Sequence, residues 1–461
     1  MLRARSAGIC LALTTLSQTA FAQGTLTETL RVQAAFATEG LPPPQPRRDD
    51  VFVMATPELS YLWGKPDRAF SATYGVTGAL HSLGGASELA QRLTLAAAFE
   101  LTARTRLLLS AFAAQSSLSN LLISQPASAT SVTLYPGLGT RLVTFGVAQG
   151  LSHELTPRVR VEQTADANLV TTIAPSPPLD AMVVGAGAAI ERIWPRDGLG
   201  LETRASYATT QAVPPEPDRQ FATIMLGPRW RRDWSPSVGS LVNAGATSIF
   251  SVDPTAPPLL MPSARASIFY TRDEAAIDLT ASTGVAPTFT AQLAQAHQVA
   301  LRGTTVLDRR RRISGSASIG YLNATLIDSA NRANDVRFQA GLGDVEIAWQ
   351  ATALMRVFAR YQVLAQVGEV IGGVNPSAIR DVFLVGMQIS SRPPTVGAAA
   401  VTQGVPTTFP RRVDQSDEPG FERDGGRMET LPANGGESAP GGGTRWIHTT
   451  PARPPEEVDD E

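Results

Sequence analysis

From residue 355 to 367 the chain alternates: Met355, Val357, Ala359, Tyr361, Val363, Ala365 and Val367 are apolar or aromatic, with Arg356, Arg360, Gln362 and Gln366 between them. Successive side chains of a strand point to opposite faces, so this segment as a strand has one apolar face and one wet, charged face. It is also long enough to cross a bilayer as a tilted strand, which takes about 9–11 residues. The same period recurs along the chain. Leu30, Val32, Ala34 and Phe36 oppose Thr29, Arg31 and Gln33; Leu93, Leu95, Ala97 and Phe99 oppose Arg92, Thr94 and Glu100; Leu199, Leu201, Ala205 and Tyr207 oppose Glu202, Arg204 and Ser206; Ile277, Leu279 and Ala281 oppose Asp278, Thr280 and Ser282. The spacing predicts about seventeen strands between Asp50 and Ser390. A barrel with both ends on one side of a membrane needs an even number. Recruiting residues 25–36 as a first strand supplies it, and 41–50 then become a loop.

The chain starts Met1-Leu-Arg-Ala-Arg, continues through an apolar stretch over 7–16, and reaches Ala20-Phe21-Ala22 before Gln23. A basic start, a short apolar region and a small-x-small site make a secretory signal peptide, so residues 1–22 are expected to be removed. Cys10, the only cysteine, lies inside that segment, after Ile9 where lipidation wants a small residue. The mature chain then has no thiol, which excludes disulfides, cysteine catalysis and thiolate metal sites. No later window approaches the roughly 18 consecutive apolar residues of a membrane helix. Membrane residence must therefore be by a closed barrel, the other structure that satisfies every backbone amide in hydrocarbon. A formal net charge of −2 argues for no nucleic-acid partner.

The connections are unequal. Short turns are expected at residues 64–67, 103–105, 154–157, 195–198, 235–237, 273–275, 309–312 and 350–352. Longer segments rich in Pro, Ser and Ala fall at 120–139, 171–180, 211–219, 253–262, 286–297 and 328–335. A barrel inserted from the periplasm has short turns there and long loops outside. Trp63, Trp194, Trp230, Trp234 and Trp349 all stand beside short turns, as an aromatic girdle at the headgroup layer requires. At Gly341 and Gly343 the apolar phase changes, from Phe338, Ala340 and Leu342 to Val345, Ile347 and Trp349, which suggests a β-bulge.

On these features residues 25–390 resemble the bacterial outer-membrane β-barrel family, without the motif of any subfamily. The resemblance implies an all-β transmembrane antiparallel barrel of about 16–18 strands in the cell outer membrane, porin-like, with barrel-assembly machinery and membrane lipid as partners and small solutes as possible cargo. One feature departs from the family pattern: such chains commonly end on an aromatic residue, whereas here the last strand runs Phe383-Leu-Val-Gly-Met-Gln-Ile and residues 391–461 follow. That tail is rich in Pro, Gly and acidic residues and is expected to be a disordered periplasmic segment, open to an envelope partner.

The wet faces hold the candidate pore-lining residues: Arg92, Glu100, Arg158, Arg160, Glu162, Glu202, Arg204, Arg265, Asp278, Arg356 and Arg360. Charges of both signs along an inner wall can set up a transverse field that selects solutes by charge. An enzyme would need a histidine in a nucleophilic constellation. His81, His153 and His297 are read instead as solvated loop residues, since His81 and His153 adjoin Ser82 and Ser152, which would point to opposite strand faces. No histidine cluster has metal spacing and no cofactor is expected; Gly185-Ala-Gly-Ala-Ala lies within a strand and cradles no nucleotide. Edman degradation of the protein from envelope fractions should start at Gln23; a start at Met1 sinks the export reading.

Overall fold

The computed structural model describes residues 24–40, 47–65, 67–82, 88–117, 141–173, 180–211, 219–251, 258–272, 274–287, 293–308, 312–327, 336–368 and 377–392. The proposed signal peptide and nearly all of the tail lie outside these. The strands are β1 (Gly24–Gly40), β2 (Arg47–Lys65), β3 (Arg68–His81), β4 (Glu88–Thr102), β5 (Thr105–Ser117), β6 (Arg141–Thr156), β7 (Val159–Ile173), β8 (Asp180–Ile193) and β9 (Asp197–Gln211). They continue as β10 (Arg219–Ser235), β11 (Val238–Ser251), β12 (Leu259–Arg272), β13 (Ala275–Pro287), β14 (Leu293–Val306), β15 (Ile313–Leu326), β16 (Val336–Gln350), β17 (Met355–Gly368) and β18 (Ala378–Ser390).

Each strand pairs antiparallel with its sequence neighbours, and β1 pairs with both β2 and β18, closing one 18-stranded ring. The seam is tied beyond the ladder: Ser391 N–H donates to Glu28 O at 2.8 Å, Glu28 N–H donates to Ser391 Oγ at 2.9 Å, and Arg31 Nη2 donates to Gln388 Oε1 at 3.0 Å. Closure leaves no edge strand, so each strand has ladder partners on both sides, interrupted on one side at Pro57 and at Pro228.

Exposure follows the two-residue period. Leu201 is 56 % exposed, Ile268 53 % and Ile319 63 %, while residues of the opposite parity, such as Ser206, Thr223 and Asn243, are buried. Large apolar side chains thus cover the outside of a closed ring, the surface that hydrocarbon takes up. The short turns cap themselves. Arg104 N–H donates to Thr102 Oγ1, Arg158 N–H to Thr156 Oγ1, Ser237 N–H to Ser235 Oγ and Leu354 N–H to Thr352 Oγ1, each at 3.2 Å. A hydroxyl at the start of each turn takes an amide the ladder cannot reach.

The bulge expected at Gly341 and Gly343 is absent: β16 pairs with β15 and β17 without a register shift through both glycines. The phase change has another cause. Phe338 and Ala340 face inward, packed with Ala294, Ala296, Leu322, Ala324 and Leu326 in an apolar patch near the long-loop end, and Arg337 and Gln339 are exposed on the opposite face. The apolar residues exchange faces along a regular strand. A second inward patch joins Ala35, Ala37, Phe52, Met54, Ala79, Val382 and Leu384. Register shifts occur instead beside short turns, at Glu100/Thr102, Glu154/Thr156 and Asp233/Ser235.

Ile319→Arg, at mid-strand on the outer face, should cost about 2–4 kcal/mol in urea unfolding from lipid vesicles, against about 0–1 for Ile313→Arg beside a short turn. Equal costs would contradict a bilayer around this belt.

Candidate functional site

The inward face carries its charges as local clusters. On β7 to β10, Arg229 Nη1 donates to Glu162 Oε2 at 2.6 Å. Arg160 lies 3.7 Å from Glu162 and 3.8 Å from Glu154. The side chains of Arg160 and Arg229 are each 4 % exposed and that of Glu162 is 7 %. Arg229 reaches from β10 to β7 across two intervening strands. Its cross-strand partner on β9 is Gly200, which puts no side chain in the way. Glu191, the next residue in that row, lies over Gly198, where any added Cβ would strike its Oε1. Arg229 Nε and Nη2, Glu162 Oε1 and Glu191 Oε2 are buried and make no hydrogen bond to the protein.

A second cluster occupies β16 and β17, about half the ring away. Arg356 Nη2 donates to Glu346 Oε1 at 2.5 Å, Arg360 Nε to Asp344 Oδ2 at 2.6 Å, and Gln362 Nε2 to the same carboxylate at 2.8 Å. Arg356 and Glu346 are each 9 % exposed at the side chain. Arg106 meets Glu100 at 3.2 Å across β4 and β5. Arg265 has Arg204, Glu202, Asp278 and Arg229 as electrostatic neighbours, and Glu202 accepts from Asn243 Nδ2 at 3.0 Å. Arg92 faces inward opposite Gly75 and Ala114.

Of the expected wall residues, Arg158 stands apart: it sits exposed in the β6–β7 turn, at the rim. Its backbone carbonyl accepts from Ile193 N–H there, one residue before β7 starts at Val159. Sequence alternation did not single out Glu154, Glu191, Arg229, Asp344 or Glu346; the signal that could have found them was an opposite charge on the same face of a neighbouring hairpin strand.

The histidines are strand residues. His81 ends β3 facing inward, its Nδ1 bonded to Asp50 and its ring tilted against Phe52 with centroids 5.1 Å apart. His153 Nδ1 lies 2.8 Å from Thr105 Oγ1 in β5, and His297 Nδ1 lies 2.7 Å from Thr283 Oγ1 in β13. The loop reading of these residues failed because β3 and β14 run further than their apolar periodicity does. Among the described residues no group of His, Cys, Asp and Glu could hold a metal ion.

The five tryptophans lie at the short-turn end. Trp194 is 40 % exposed, Trp234 53 % and Trp349 50 %, with Trp63 and Trp230 half-buried. Trp230 Nε1 donates to Asp197 Oδ1 at 3.3 Å and Trp234 Nε1 to Ser240 Oγ at 2.9 Å.

A closed even-stranded ring, an apolar exterior, a polar band inside and indoles at one rim define a transmembrane β-barrel of the outer-membrane type. No family model matches the chain, and no curated protein matches it. Among solved structures it is similar to OccK2 (OpdF) of Pseudomonas aeruginosa, at 11% identity over 80% of this chain and 98% of that one, with a TM-score of 0.42. It is similar also to OccAB3 of Acinetobacter baumannii (10% identity, 79% and 99% covered, TM-score 0.41) and to the siderophore receptor PirA of P. aeruginosa (9%, 78% and 80%, TM-score 0.39). Likeness at this level carries no argument about cargo.

Glu162→Ala leaves Arg160 and Arg229 buried together without their shared carboxylate and should cost about 3–5 kcal/mol in urea unfolding. The pair Glu162→Met with Arg229→Met should recover most of that loss. A single-variant cost below about 1 kcal/mol, the surface-pair range, would show that water screens the cluster.

Proposed function

We propose that the protein is a porin-like channel that passes small solutes across the outer membrane and selects them by the charges on its inner wall. The width of the ring carries this reading. Side chains fill barrels near eight strands, and rings of 16–18 leave an aqueous channel; this ring has 18 strands. The candidate selecting residues are the inward charges Arg92, Glu100, Arg160, Glu162, Glu202, Arg204, Arg265, Asp278, Arg356 and Arg360. Because Arg356 and Arg360 sit beside Glu346 and Asp344, and Arg160 and Arg229 beside Glu162, each wall presents both signs within itself. Selection then acts through local dipoles more than through a field from one wall to the other. Export by residues 1–22 and a periplasmic role for residues 391–461 belong to the same reading.

In planar bilayers the full-length mature protein should give discrete conductance steps. Arg356→Ala and Arg360→Ala each leave a carboxylate uncompensated and should shift the reversal potential in a salt gradient towards cation preference. A bilayer that stays silent with folded protein present removes the channel reading and favours a structural role, for which tail-dependent capture of an envelope partner is the measurement.

A further inference from the structure

Outward-facing arginines and indoles meet in one sector of the short-turn rim, on β8 to β10. The Arg192 guanidinium lies 5.4 Å from the Trp194 ring centre, and that of Arg232 lies 4.5 Å from the Trp234 ring centre. Trp230 and Trp234 pack edge to face, centroids 6.4 Å apart. Arg196 is exposed in the β8–β9 turn between them. The acid on this face of the sector is Asp197, 3.7 Å from Arg232 and bonded to Trp230, so the group keeps a positive excess. Arg192 and the 41 % exposed side chain of Arg232 keep donors open.

Among the described residues no other arginine stands over an indole ring. Arg68 is taken by Asp67 at 3.3 Å, and Trp349 stands beside Gln350. Indole anchors a residue at headgroup depth. A guanidinium held on an indole face is already ordered and turns its N–H edge towards phosphate, with little side-chain entropy left to lose.

We propose that Arg192, Arg196 and Arg232, braced by Trp194, Trp230 and Trp234, form a binding site for the phosphodiester headgroup of an anionic phospholipid in the periplasmic leaflet. The lipid's glycerol and upper acyl chains would lie along Leu199 and Leu201, which are exposed on the outer face of β9 at 52 % and 56 %. The site lies outside the ring and does not depend on conduction.

The test places the full-length mature chain, with Trp63→Phe, Trp349→Phe and Trp446→Phe, in phosphatidylcholine vesicles. A minor share of the lipid is phosphatidylglycerol brominated near the headgroup, or phosphatidylcholine brominated likewise. Brominated phosphatidylglycerol should quench the remaining indoles more strongly. Arg192→Gln and Arg232→Gln should each lower the relative affinity about fivefold, and together should remove the preference. In the unsubstituted protein the preference should weaken as salt rises, because the contact lies at the aqueous interface. Equal quenching by the two lipids, a preference that ignores salt, or one that survives the double substitution in a folded barrel overturns the proposal. Competition by millimolar inorganic phosphate does so too, since it marks a site for a free anion.

Discussion

A backbone amide in hydrocarbon has no water to fall back on, and the structure answers that one constraint. A single unpaired strand edge would leave a row of N–H and C=O groups facing lipid, each costing several kcal/mol. The cost is avoided by bonding β1 to β18 as well as to β2. This is why residues 24–40, which precede the long alternating series, are needed as a strand, and why Ser390 and Ser391 meet Glu28 and Thr29 across the sequence ends. Once the ring closes, inside and outside are defined for every residue by parity alone. The two-residue period then settles which side chains meet lipid.

Closure also governs the charges. An arginine on the inner wall cannot turn through the sheet to the lipid side, so a charged partner must come from the inner wall. In β16 and β17 the ion-pair partners lie one or two same-face positions off register on the neighbouring strand, within a hairpin. On β7 to β10 the reach is longer: Glu191 lies over Gly198, and Gly200, between Arg229 and Glu191 in the same row, carries no side chain.

Legibility in the sequence followed the range of the physics. Alternation, turn lengths and the tryptophan positions are local, and the structure repeats them: the short turns lie where Gly, Pro, Asp and Ser cluster, and Trp194, Trp230, Trp234 and Trp349 border them. Where a local pattern had two physical causes, sequence reading chose one. Phe338 and Ala340 changed phase because the inner wall near the long loops is apolar, and a slip in register was the wrong account. His297 sits in β14 although its neighbours Ala296 and Gln298 give no alternation. Arg158 keeps the parity of Arg160 but stands exposed in the β6–β7 turn at the rim.

By itself the sequence determined the class of structure: strands of spanning length, one apolar face each, unequal connections and a count that closes only when residues 25–36 are included. Those follow from side-chain period and chain length, which every segment carries within itself. The tertiary structure alone decided which charge faces which: Arg229 with Glu162 across two strands, Arg360 with Asp344, and the arginines of the rim on their indoles. Such pairings depend on ring order, register and the bare positions between strands, and no single segment contains that information.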